Sequence, residues 1–185
     1  MIAKHVPMKV AKKSGFVSLL AYLADTKAKR ERVGCVTGTN CQSDQTAFAI
    51  TKILHSQAQN PRALSDKTYH RIISFSVGEE PAVAVLQVVE ARICQGLGYG
   101  EHQRISVVHH DTDNLHVHIA INKIHLFRYT IHQPYRDHVT LGLLCVALAA
   151  RRVGGVPAVQ PYHGQTPQGH QCPAPDERKP CGLVV

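Results

Sequence analysis

"RISVVHHDTDNLHVHIAIN", residues 104 to 122, decides the fold. Residues 104–109 read as one strand. From Leu115 onward Val117, Ile119 and Ile121 alternate with His116, His118, Ala120 and Asn122, which is the period of a second strand. Between them "DTDN" (111–114) supplies Asp and Asn side chains suited to a tight turn. Strands joined so closely pair antiparallel, because a parallel neighbour needs a crossover of about a dozen residues or more.

Upstream of this hairpin the apolar period switches repeatedly. "MIAKHVPM" (1–8) reads as a strand, and "SGFVSLLAYLAD" (14–25) as a helix, with apolar residues at 16, 19, 20 and 23 and Ser14 as its N-cap. "RVGCVTGTN" (32–40) is a second strand, and "SDQTAFAITKILHSQAQ" (43–59) a second helix opened by Ser43 and Asp44. "KTYHRIISFSVG" (67–78) alternates as a strand; "EEPAVAVLQVVEARICQGLG" (79–98) is a third helix with Pro81 in its first turn and glycines at its end. The order β α β α β α β β, closed by a hairpin, predicts an α+β fold with a mainly antiparallel central sheet and helices packed on it.

A chain of 185 residues, 44% hydrophobic, suits one domain with a real core. That domain is expected over 1–150. Residues 151–185, "RRVGGVPAVQPYHGQTPQGHQCPAPDERKPCGLVV", are rich in Gly, Pro and Gln, and predict an irregular, disordered tail whose texture departs from the body as a shifted reading frame would. The six cysteines form no C-x-x-C pair, so free thiols are expected rather than a zinc ribbon or a disulfide scaffold. No segment approaches the roughly 18 to 20 apolar residues of a membrane span, and "MIAKHVPMKVAKK" lacks a secretory apolar run; a cytoplasmic protein without membrane insertion is expected.

The net charge of +8 points to a polyanionic partner such as nucleic acid. Lys4, Lys9, Lys12, Lys13, Lys27, Lys29, Arg30 and Arg32 crowd the first 32 positions, and Lys12 and Lys13 are candidate phosphate contacts. His116 and His118 project from one face of their strand, and His109 stands near the end of the preceding one. Three imidazoles so placed can serve a single metal ion, with Asp111 as a carboxylate that orients one of them. An ion there would polarise a phosphodiester oxygen. The reaction still needs a nucleophile, and an activated tyrosine can serve. Pattern alone does not choose among Tyr22, Tyr69, Tyr99, Tyr129, Tyr135 and Tyr162.

"HHDTDNLHVHIAINKIH" resembles the third motif of the HUH-type plasmid relaxases, the mobilisation endonucleases, with the nearest likeness in those of IncP plasmids. "MIAKHVPMK" with "LLAYLAD" resembles their first motif, and "DKTYHRIISF" their second. The likeness covers residues 1 to about 145 and is faint over "HVTLGLLCVALAARRVGG" (138–155), which implies an N-terminal catalytic portion incomplete at its C-terminal end. It implies Tyr22 as the nucleophile, Ser74 as a residue holding DNA near the cleaved phosphate, and His109, His116 and His118 as ligands of a divalent ion, Mg²⁺ or Mn²⁺ ahead of Zn²⁺. Asp111 is the acidic member of the motif, and His116 is either ligand or general base. The implied substrate is single-stranded DNA at an origin of transfer, nicked and rejoined through a 5′-phosphotyrosyl intermediate during conjugation with accessory relaxosome proteins. A rolling-circle replication initiator shares these residue types but places its tyrosine after the histidines, so chain order favours the relaxase. A single-strand DNA-binding module without activity is the alternative from another class.

Overall fold

The hairpin forms as its sequence predicts. In a computed structural model that describes residues 1–7, 15–24, 33–43, 45–63, 65–110 and 113–153, β4 (Arg104–His109) and β5 (His116–Asn122) pair antiparallel, with His109 opposite His116. Before them run β1 (Ile2–Val6), α1 (Phe16–Leu23), β2 (Val33–Thr39), α2 (Thr46–Ala58), β3 (Thr68–Ser74) and α3 (Val83–Gly96); α4 (Asp137–Val153) follows. The sheet has five strands in the order β1-β3-β5-β4-β2, and every neighbouring pair is antiparallel.

The alternation in β5 separates two cores rather than core from solvent. Val117, Ile119 and Ile121 join Ile73, Val108, Leu86, Ile93 and Leu141 in one cluster, which places α3 and α4 on that face. On the other face Ala120, Val107 and Ile105 pack under Phe16, Leu19, Leu20 and Leu23 of α1 and Ala49 and Ile53 of α2. The row that carries His116 and His118 therefore shares its side of the sheet with a second apolar layer.

Two buried charges tie helices to the sheet. Arg104 of β4 donates from Nε to Glu90 Oε1 of α3 at 2.7 Å, with both side chains nearly inaccessible. Arg71 of β3, fully buried, donates from Nη2 to the Tyr69 hydroxyl at 2.7 Å, and that hydroxyl donates to Asp137 in the first turn of α4. His5 of β1 stacks on the Tyr69 ring and approaches Asp137 Oδ2 at 3.4 Å. Arg71 Nε and Nη1 have no hydrogen-bond partner among the described residues, so its charge is answered through Tyr69 rather than directly.

Some local expectations change. Helix α1 is capped by Gly15 in an extended conformation without a side-chain bond, α2 by Gln45, and Pro81 lies one residue before the Ala82 cap of α3 rather than in its first turn. Gly98, at φ +80°, closes the end of α3, where an added Cβ would meet His132 Nε2 at 2.7 Å; the glycine is needed for both backbone and space. Helix α4 is an addition to the predicted elements. Cys35, Cys41, Cys94 and Cys145 are free thiols; the start of the predicted tail, 151–153, is the end of α4 instead of irregular chain, and Cys172, Cys181 and residues 154–185 lie outside the described residues, as does Ser14. Among the described residues no helix is long and apolar enough to cross a membrane.

Candidate active site

The sheet register assembles the site. Ser74 of β3 lies opposite His116 of β5, which lies opposite His109 of β4. Directly paired residues share a face, so these three side chains form one cross-strand row. The next row on that face holds Ile72, His118 and Val107, and the next His70, Ala120 and Ile105. Four imidazoles therefore line the side of the sheet covered by α1 and α2. Beside them the register of β2 shifts between Val33 and Val36, a local irregularity at the strand end opposite His109.

Each imidazole has a protein partner. His109, buried, donates from Nε2 to the Leu23 carbonyl at 2.8 Å, satisfying one of the carbonyls that a helix end leaves unpaired. His116 Nδ1 is 2.8 Å from Ser74 Oγ. His118 Nδ1 is 3.2 Å from His70 Nε2, with the two rings stacked at 5.4 Å between centroids. The His118 ring lies 4.4 Å from that of His109 and 6.4 Å from that of His116.

Burial, with smaller contributions from the charges of His5 and His109, holds His70 down to about 4. His70 is therefore neutral at pH 7, and one proton suffices for its bond with His118. His102, at the opposite end of the sheet, is also held to about 4, chiefly by burial, against the raising effect of its bond to the Asn122 carbonyl. Both pKa values are depressed from 6.5, so the unfolded chain binds these protons first as pH falls. Stability should be fully present above about pH 6.5 and fall as pH is lowered toward 4, by roughly 2 to 3 kcal/mol per histidine at ~1.4 kcal/mol per pKa unit. Urea unfolding midpoints at pH 7, 5.5 and 4.5 check this; a midpoint constant across that range contradicts it.

Tyr22 stands at the end of α1. Phe16, Leu19, Leu20 and Leu23 face the sheet, which turns Tyr22 outward with 64% of its surface exposed. Leu23, the next residue, is the one bonded to His109. An exposed phenol thus sits one residue from the tether between helix and histidine row.

The structure brings Ser74, His109, His116 and His118 together on one face, with Tyr22 on the helix that covers it. Asp111, Lys12 and Lys13 lie outside the described residues. The three histidines expected as metal ligands lie on one face of the sheet. Among the described residues no group of three or more His, Cys, Asp or Glu side chains is gathered to hold an ion. His109 Nε2 is turned to Leu23 and His118 Nδ1 to His70. Ser74, expected at the DNA, has its hydroxyl against His116. Sequence reading missed His70 and the Leu23 carbonyl. The parity of His70 with Ser74 in "YHRIIS" was a usable signal, but its meeting with His118 depends on β3 pairing with β5.

The family model "Relaxase: MobA/VirD2-like, nuclease domain" matches residues 22–152, from the exposed tyrosine through α4. Two Escherichia coli proteins named Protein TraI are 56% and 52% identical over 148 residues, 80% of this chain and 20% of each relative. Protein MobA of Acidithiobacillus ferrooxidans is 38% identical over 60 residues, 32% of this chain and 15% of that protein. The chain thus spans about a fifth of the length of the two TraI relatives. The match runs into the region where the motif likeness fades, and the chain belongs to the MobA/VirD2-like relaxase nuclease-domain family.

Proposed function

We propose that this chain cuts and rejoins one DNA strand at an origin of transfer by transesterification, with Tyr22 as the nucleophile. The observation that supports the reading is that Tyr22 is exposed on α1, the helix whose end is bonded to His109 and which packs on the sheet face that carries His116 and His118. The phenol oxygen bonds to phosphorus as the 3′ oxygen leaves. The phenol proton passes to a base of the histidine row, which we assign to His116, and the departing oxygen takes up a proton to become a 3′ hydroxyl. The 5′ phosphate remains on Tyr22, so bond energy is kept and the same step in reverse closes the strand.

Ser74 holds the His116 ring through Nδ1 and so fixes which nitrogen faces the reacting groups. Asp111 completes the motif, and Lys12 and Lys13 contact phosphates. His109 and His118 would take a divalent ion once their rings turn onto one point, with His116 as the third ligand only if another group serves as the base; its chemistry would be to polarise a non-bridging phosphate oxygen. Imidazoles suit a transition ion better than Mg²⁺, which prefers oxygen, so Mn²⁺ or Zn²⁺ ranks ahead. Accessory proteins at the origin belong to the same proposal, as does a single catalytic domain, expected over 1–150 and carried to Val153 by α4, followed by a tail.

Incubating the protein with single-stranded origin DNA and a divalent ion should give an adduct that survives denaturing electrophoresis. DNA binding without an adduct would leave a binding module. Ser74→Ala should slow adduct formation about 10- to 100-fold, the usual range for losing a group that orients a site imidazole. Mn²⁺ or Zn²⁺ should raise the melting temperature of the wild type, because an ion bound only to the folded state adds its binding free energy to stability. That rise should vanish in His118→Ala; an equal rise in the variant would remove His118 from the ion site.

A further inference from the structure

The connection between β5 and α4, "KIHLFRYTIHQPYRD" (123–137), presents aromatics that the nicking chemistry does not use. Phe127 is 72% exposed and Tyr135 82%, and each is followed by an exposed arginine, Arg128 and Arg136. The Arg136 guanidinium lies over the Tyr135 ring at 5.3 Å. What distinguishes these two rings from the other exposed apolar side chains is that each is followed by an exposed arginine, a pairing of π face and cation suited to nucleic-acid bases and phosphates.

The segment is built to hold them there. Ile124 bridges Ile131, and His125 N donates to the Thr130 carbonyl at 2.9 Å, closing a short loop. His125 Nδ1 accepts the backbone N–H groups of Phe127 and Arg128 at 3.2 and 3.3 Å, and Asn60 Nδ2 donates to the Tyr129 carbonyl at 2.7 Å. Tyr129 and Arg136 are held at φ +51° and +47°, where side chains other than glycine are strained. Such strain persists where surrounding bonds impose it, and it clusters at functional sites.

We infer that Phe127 and Tyr135, with Arg128 and Arg136, form a stacking platform for unpaired DNA bases at the end of β5 opposite the histidine row. Each base offers a π face to an aromatic ring, and each arginine offers a cation to the neighbouring phosphate or base. Glu101 is the acid that faces this surface, 3.8 Å from Arg128, and the other nearby carboxylate, Asp137, is bonded to Tyr69. The seven residues of β5 put the platform about 20 Å from His116. A single strand stacked at ~3.4 Å per nucleotide covers that in about six nucleotides. The platform therefore grips DNA several nucleotides from the cut, and this rests on the reading of single-stranded DNA as substrate.

The chain has no tryptophan, so Phe127→Trp creates a single fluorescent reporter that keeps an aromatic ring in place. Its emission should be quenched by origin oligonucleotides reaching ten nucleotides from the cut on the correct side, and left unchanged by ones ending within three. Phe127→Ala with Tyr135→Ala should weaken binding of the long oligonucleotide about tenfold or more, and leave both binding and adduct yield on the short one unchanged. Far-UV circular dichroism confirms folding of both variants. Absence of quenching at saturating long DNA, or equal loss on long and short DNA, overturns the platform. If the wild type forms the adduct in that case, the nicking reading stands alone. If it neither binds nor joins single-stranded DNA, both fail.

Discussion

Tyr22→Phe should abolish the covalent DNA adduct, with a loss on the order of 10⁴-fold or more, while the protein still binds origin DNA. The substitution removes one oxygen atom, and that atom is the proposed nucleophile; residues that make the reacting bond show losses of this size. Its effect on folding should be within about 0.5 kcal/mol, because the ring is on the outer side of α1 and is not part of the core that Phe16, Leu19, Leu20 and Leu23 form. Denaturing gels of the adduct, anisotropy of labelled DNA and a urea titration separate the three quantities. An adduct that persists in Tyr22→Phe would move the nucleophile to another tyrosine. Tyr69 and Tyr99 are poor replacements, since both are buried and burial pushes both phenols well above their usual range, the Tyr69 bond to Asp137 adding to its shift. His116→Ala should also lose the adduct, and a partial return of activity at higher pH would favour its role as proton acceptor.

The largest stability effect should come from Glu90→Ala. It leaves the Arg104 guanidinium buried without its carboxylate, in a site where the two side chains are 5% and 6% exposed. Breaking a buried pair from one side costs about 3 to 5 kcal/mol, a large share of the ~5 to 15 kcal/mol that holds a domain folded. The urea midpoint should fall accordingly. The double change Glu90→Leu with Arg104→Met should restore most of the loss, because it removes the stranded charge and replaces it with apolar volume. If the single variant loses less than about 1 kcal/mol, water reaches Arg104 and the pair is not what fastens α3 to β4.

Helix α4 shows why one element escaped sequence reading. Leu141 is buried and Leu148 packs against the core, but Val139, Leu143 and Val146 on the other side are 48%, 69% and 70% exposed. Apolar residues on both sides blur the helical period, and Gly142 and Thr140 lower its propensity. The elements that were legible had a single periodic face, as in α1, or were bounded by turn residues, as in the β4–β5 hairpin.

What the sequence determined by itself was the α+β class, the hairpin, the side of β5 that carries His116 and His118, and the set of residue types the chemistry needs. These follow from periods of 2 and 3.6 residues and from turn chemistry, which act between near neighbours in the chain. The tertiary structure alone decided that the histidine face is covered by α1 and α2, that β3 lies beside β5 so that Ser74 meets His116 and His70 meets His118, and that Leu23 ties the tyrosine helix to His109. Those contacts span 42, 48 and 86 residues of sequence. No local period carries such information; it resides in strand order and register, which are selected by how both faces of the sheet are buried at once.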